Sequence, residues 1–159
     1  MEPKRKRMEP KRKRMEPKRK RMKPKRKRME RCLVSSGSPY EKPIGFSRAV
    51  RIGSLIAVAG TAPIAPGGGT DSEGDLFGQT RRCIEIMKAA IEQAGGKLGD
   101  VIRTRIMLKD ISQWEEAGRA HGEYFSEIRP ACTFVEAKGF IDPLWLVEME
   151  ADCVVGDQS

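Results

Sequence analysis

Toward its C-terminal end the chain of 159 residues carries carboxylates at every second position, Glu148, Glu150 and Asp152. A period of two puts all three on one face of a β-strand, while Val147, Met149, Ala151, Cys153 and Val155 take the other. A column of like charge requires cations or water beside it, because carboxylates buried without partners are costly. Arg103 and Arg105, which share one face of the strand-like run Val101–Leu108, are the natural partners. An ion ladder of purely structural use is the competing reading, because such networks perturb carboxylates too.

Other chemistry is sparse. The single histidine, His121, falls on the apolar stripe of a helical segment, where a packed imidazole is the ordinary reading. Cys32, Cys83, Cys132 and Cys153 are far apart and form no CxxC pair, so a zinc site is not expected and neither is any other metal site. With no export signal in view, these thiols are expected to be reduced, mostly buried, and cytoplasmic. Gly67-Gly68-Gly69 does not join a strand to a helix in a phosphate-binding spacing. No apolar run approaches the roughly 18–20 residues that a membrane span needs.

The elements that must position these groups follow from periodicity. Residues 35–45 are rich in turn formers and are expected to be an extended loop. Arg48–Ile52 and Leu55–Gly60, split by Gly53-Ser54, predict a β-hairpin, and residues 61–74 a surface loop. Leu76, Thr80, Cys83, Ile84, Met87, Ile91 and Ala94 form one stripe of a helix stopped by Gly95-Gly96. After the strand Val101–Leu108, the spacing of Ser112 and Glu115 suggests a capping box. It would open a second helix with Trp114, Ala117, His121, Tyr124, Phe125 and Ile128 on its apolar side. Pro130 ends that helix, and Ala131–Ala137 and Leu146–Val155 predict two more strands. The order β-β-α-β-α-β-β implies an α+β fold, a mixed sheet with two helices packed on one face. The other face, partly apolar through Ala57 and Val135, would be left for self-association.

Charge divides the chain in two. Residues 1–28 hold 17 Lys and Arg against 3 Glu, a net +14, whereas residues 29–159 hold 14 against 19, a net −5. The first part is four copies of a seven-residue unit, three MEPKRKR and one MKPKRKR. A proline in each unit and almost nothing to bury predict a disordered basic tail over residues 1–30, ahead of a domain at 31–156. The tail meets the crude pattern for nucleic-acid binding, but a short repeat expanded in the coding DNA, or an early start codon, would read the same way. Nucleic acid is therefore expected as a partner only through the tail, and the domain's −5 disfavours a phosphate-binding surface.

Taken together, GFSRAVRIG (45–53), AGTAP (59–63), QTRRCIEIMKAAIEQAGGKLGDVIRTRIMLKD (79–110), RPACTFVEA (129–137) and VEMEAD (147–152) resemble the RidA/YjgF family, also known as the L-PSP endoribonuclease family. The resemblance covers roughly residues 35–155. It implies a chorismate-mutase-like α+β fold in a homotrimer, with the sheets forming an inner barrel and ligand clefts between subunits. It further implies binding of a small-molecule metabolite and hydrolysis of reactive enamines or imines to 2-oxo compounds and ammonia, without metal or organic cofactor. By this likeness Glu150 would help to position water. Phe46, Ser47, Arg48, Arg105, Cys132 and Thr133 would line the substrate cleft.

The chain departs from the family pattern at the residue after Pro130-Ala131, where an arginine that grips the substrate carboxylate is replaced by Cys132. Phe46 stands where the family often has tyrosine, and Arg48 where it often has glutamine. Cysteine offers neither charge nor a forked donor, so the hold on a carboxylate is expected to weaken unless Arg48 or Arg105 supplies the cation. No histidine is placed by the sequence to make Cys132 a nucleophile. A non-catalytic metabolite-binding or regulatory module is thus the alternative reading, and an RNA-binding or endoribonuclease-like protein a further one.

Overall fold

A computed structural model describes residues 29–156, and the repeat of residues 1–28, with the disorder expected of it, lies outside them. In chain order the elements are β1 (Arg31–Val34), α1 (Glu41–Ile44), β2 (Ala49–Ile52), β3 (Leu55–Thr61), α2 (Leu76–Gln93), β4 (Val101–Leu108), α3 (Trp114–Phe125), β5 (Ala131–Glu136) and β6 (Val147–Val154). They form one mixed sheet of order β1-β2-β3-β6-β4-β5, parallel only between β4 and β5. The last strand of the chain is therefore an inner one. β3 and β4 run the same way, joined through α2, and β6 slots antiparallel between them.

α2 forms where the apolar stripe predicts it. Every residue of that stripe is buried, Cys83, Ile84, Met87 and Ile91 completely. Asp75 caps its start by accepting from the Gly78 N–H at 3.0 Å. Its end closes as a Schellman turn, with Gly95 in the left-handed region (φ 80°) and the Gly96 N–H bonded back to the Ile91 carbonyl at 2.9 Å. α3 covers the other half of the same sheet face with Ala117, Ala120 and Phe125. From the sheet, Ile56, Val58, Ile106, Leu108, Val147, Met149 and Ala151 complete the core.

Three local expectations change. The segment 35–45 is not wholly extended. Ser35 Oγ and Ser36 Oγ donate to the Glu41 carboxylate at 2.8 and 2.6 Å, joined by the Ser36 N–H, and gather the chain into the single turn α1. The capping box does not form. Asp110, two residues earlier, takes the Ser112 N–H (2.9 Å) and Oγ (2.6 Å), building a one-turn 3-10 helix at Ile111–Gln113, and α3 then starts without a side-chain cap. An additional strand, β1, pairs with β2. Four residues with exposed Leu33 and buried Val34 are too short to announce themselves by alternation.

One buried amide ties the loops to this frame. Gln79, fully buried on α2, donates to the Leu144 carbonyl at 3.0 Å and accepts from the Leu146 N–H at 2.8 Å, fixing the chain where it enters β6. Removing it breaks both bonds, at a cost of about 1–3 kcal/mol for the pair. Q79A is accordingly expected to lower the urea midpoint with little change in slope; an unaltered midpoint would contradict this account.

Candidate functional site

The period of two in β6 resolves as the sequence predicts. Val147, Met149, Ala151 and Cys153 are buried under the helices, while Glu148, Glu150 and Asp152 project from the opposite, helix-free face. On that face β4 sets Arg105 opposite Glu150 and Met107 opposite Glu148. Arg105 binds two carboxylates at once, Nη1 to Glu150 Oε2 at 3.1 Å and Nη2 to Asp152 Oδ2 at 3.2 Å. Arg103 makes no such pair among the described residues. A register shift between Val101 and Arg103 interrupts the ladder there, and Asp152, opposite Arg103, is taken by Arg105.

Glu148 is left over. It is half-buried, has no ion-pair or hydrogen-bond partner among the described residues, and is held above its ordinary 4.5 chiefly by burial. Arg48 nearby opposes that shift and Glu150 adds to it. Arg48 itself extends β2 by one residue, its N–H bonded to the Val34 carbonyl and its carbonyl to the Ala59 N–H. Its Nη1 donates to the Gly60 carbonyl at 2.8 Å and to Thr61 Oγ1 at 3.1 Å. Both acceptors belong to an irregularity in β3, where the register against β6 slips between Val58 and Thr61. Phe46 and Ser47, both half-buried, precede Arg48 behind the turn at Gly45 (φ 82°).

The site residues predicted from the sequence are thus divided. Arg48, Glu150, Arg105 and Thr133 share the helix-free face, Thr133 standing opposite Arg105 in the parallel β4–β5 ladder. Cys132 is opposite Thr104 and takes the helix side of β5, the side from which Phe134 packs edge-on against Trp114 at 6.0 Å. Thr104 Oγ1 in turn meets His121 Nε2 at 2.9 Å, and the imidazole stacks on Phe125 at 4.5 Å. Burial depresses the His121 pKa, so this histidine is a neutral packed group as expected. Two of the four thiols are buried, fewer than the sequence suggests: Cys83 is raised by burial and Cys153 is pushed up to about 12, while Cys32 and Cys132 are exposed. Glu148 was legible only as one member of the carboxylate column. The signal for its neighbourhood is Gly60 inside a strand pattern, a mark of an irregularity or close backbone approach.

Two cavities lie elsewhere. One, of about 370 Å³, is lined by Leu76, Lys109, Asp110, Gln113 and Leu146. The other, of about 330 Å³, is lined by Met29, Glu30, Cys32, Arg51 and Gly53. Around the carboxylates the helix-free face is open, and it exposes Leu33, Leu55, Val135 and Val154. Among the described residues no helix is long and apolar enough to cross a membrane, and no cluster of three His, Cys, Asp or Glu could hold a metal.

The fold is shared with known proteins. The family model described as Endoribonuclease L-PSP matches residues 40–155. The chain belongs to that family, the RidA/YjgF family. A RutC family protein of Pyrococcus abyssi is 41% identical over 111 residues, 69% of this chain and 87% of that one. A Streptomyces coelicolor protein is 39% identical over 123 residues, 77% and 91% of the two chains. Among solved structures, Rv2704 of Mycobacterium tuberculosis, a member of the YjgF/YER057c/UK114 family, superposes with a TM-score of 0.73. It is 45% identical, over 79% of this chain and all of the other. The YjgF product of E. coli gives 0.65 at 25% identity, over 77% and 92%. The mixed sheet with helices on one face is thus the YjgF fold.

The raised Glu148 has a thermodynamic consequence. The folded chain holds this proton over a pH range in which the unfolded chain has released it, so stability falls as pH rises from the ordinary value through the raised one. Glu148→Gln cannot ionise and escapes that loss. The variant is expected to gain on its parent as pH rises through the window and to show a constant difference below it, measured by urea unfolding from roughly pH 4 to 8. A difference independent of pH would show that the carboxyl is not perturbed.

Proposed function

We propose that this RidA-like protein binds a small metabolite against the helix-free face and hydrolyses a reactive enamine or imine there, in clefts completed by a second copy of the chain in a homotrimer. The observation that carries the reading is the unpaired, half-buried Glu148 beside Arg48, next to a Glu150 already committed to Arg105. A carboxyl that burial holds above its ordinary value, with no ion pair among the described residues, is suited to taking and returning a proton, whereas one clamped by a guanidinium is better suited to fixing geometry.

In the proposed reaction water adds to the imine carbon, forming the new C–O bond. Glu148 takes the proton from that water and returns it to the nitrogen. Glu148 then takes the hydroxyl proton of the carbinolamine and passes it to the nitrogen, so that ammonia leaves as the C–N bond breaks and the carbonyl forms. Glu150 remains the carboxylate that helps to position the water, now as a residue held by Arg105 rather than the proton carrier. Exposed Leu33, Leu55, Val135 and Val154 support burial of this face by another copy. Cys132 and Thr133, at the sheet edge on β5, and Phe46 with Ser47 are the remaining cleft-lining candidates. Two sides of one strand cannot face one ligand within a single chain, which is a further reason to place the cleft between copies.

The test is release of 2-oxo acid and ammonia from imines generated in situ from several amino acids, with the full chain. Glu148→Gln is expected to lower kcat at least about a hundredfold, with E150Q less damaging. Failure of every imine to be accelerated would remove the enzyme reading and leave the metabolite-binding module.

A further inference from the structure

The face that carries Glu148 presents its cations unequally. Arg105 is neutralised by two carboxylates at 3.1 and 3.2 Å. Arg51 is on the other side of the sheet, its Nε spent on the Gly53 carbonyl and its Nη1 on the Ala94 carbonyl that ends α2. Arg103 is exposed, so water screens it.

Arg48 differs from all of these. It is half-buried, and no carboxylate among the described residues lies within 4.0 Å of it. Glu41 and Glu148 are the carboxyl groups whose charge reaches it, with the buried Cys83 thiol between them in effect. Glu41 is already occupied by Ser35 and Ser36, and Glu148 is the carboxyl that burial pushes toward its neutral form. The guanidinium stays protonated whatever its surroundings, so this is a partly desolvated cation with incomplete compensation.

Its geometry is also specific. Among the described residues only Nη1 is engaged, on Gly60 and Thr61. Thr61, fully buried and itself donating to the Ala59 carbonyl at 2.8 Å, makes a rigid seat. The remaining edge of the guanidinium, Nε with Nη2, has no partner among the described residues. It carries two parallel N–H donors spaced for the two oxygens of one carboxylate. A backbone carbonyl and a buried hydroxyl therefore fix one corner of the fork and leave its bidentate edge open.

From this we infer that Arg48 is the carboxylate anchor of this chain, a specificity-determining residue that takes a small planar carboxylate, such as that of a 2-oxo or 2-imino acid, on its Nε–Nη2 edge. The inference rests on the proposed site but not on turnover. It places the recognised charge on β2, at the end of the β3 irregularity, and not at position 132 of the edge strand β5, where cysteine has no forked donor to offer. Glu148 then stands at the reacting end of the ligand and Arg48 at its acid end.

The experiment compares binding of 2-oxobutyrate with that of its uncharged amide to the full chain by calorimetric titration, with imine turnover measured separately. The unaltered protein is expected to prefer the acid by about tenfold to a hundredfold, the range of a charge-assisted pair. Arg48→Gln should erase that preference. Arg48→Lys, which keeps the charge and the bond to Gly60 but loses the fork, should retain a reduced part of it. Arg103→Gln, at an exposed guanidinium with no ion pair among the described residues, should leave the acid–amide ratio in place. Equal binding of acid and amide by the unaltered chain, no detectable acid binding up to about 10 mM, or loss of the preference in R103Q but not in R48Q would each overturn the inference. The acid–amide comparison on the unaltered chain reads the anchor even where a variant fails to fold. A protein that shows the Arg48-dependent preference yet hydrolyses no imine would retain the anchor and lose the deaminase reading.

Discussion

The structure depends on the insertion of β6 between β3 and β4. A strand hydrogen-bonded on both edges has no freedom of register, and here both neighbours are themselves fixed by α2, which links them over the top. Because side chains alternate strictly, a slip of one residue would drive Glu148, Glu150 and Asp152 beneath the helices and expel Val147, Met149 and Ala151. Burying unpaired carboxylates in an apolar layer costs far more than any local propensity could return. The hydrophobic core and the acidic face are thus two consequences of one register.

That register leaves the acidic face with a charge problem, and the way it is solved divides the labour among chemically identical groups. One guanidinium spans two carboxylates, so Arg105 quiets Glu150 and Asp152 together. The third carboxylate, opposite Met107 rather than an arginine, receives no ion pair among the described residues and sits half-buried. The cation whose charge reaches it, Arg48, is drawn instead onto the carbonyl and hydroxyl that the β3 irregularity offers. The difference between a paired and an unpaired carboxylate here is one cross-strand neighbour. Met107 in place of a base keeps Glu148 available, and a cation at that position would pair it as Arg105 pairs Glu150.

Much of this was legible in the residues, and the parts that were not share a cause. The helix over Leu76–Gln93 and the strands β4 and β6 announce themselves through long, regular periods, because each buries one continuous stripe. β1 is four residues long, and α1 is held by serine contacts to one glutamate rather than by an apolar face. Neither has a period to read. The capping box failed by local competition, since Asp110 reached the Ser112 N–H first. Among site residues, the carboxylate column and the suitability of Arg105 as its partner could be read directly. Which carboxylate would be left unpaired could not, because that is set by cross-strand register between residues more than forty positions apart.

The same alternation governs the significance of Cys132. Opposite Thr104 in the parallel ladder, its Cα–Cβ bond points to the helix side, toward the layer of His121 and Phe125, while its neighbour Thr133 points to the side of Arg105 and Glu150. Exchanging an arginine for cysteine at this position therefore takes no cation from the row that carries the carboxylates within one chain. What changes is the charge presented at the exposed edge of β5, the margin a neighbouring molecule would meet. The acidic face of the chain keeps its own cations, Arg105 clamped by two carboxylates, Arg48 seated with a donor edge open and Arg103 exposed. The consequence of the exchange is thus decided at the sheet edge, by what approaches it, and not by any loss within the carboxylate cluster itself.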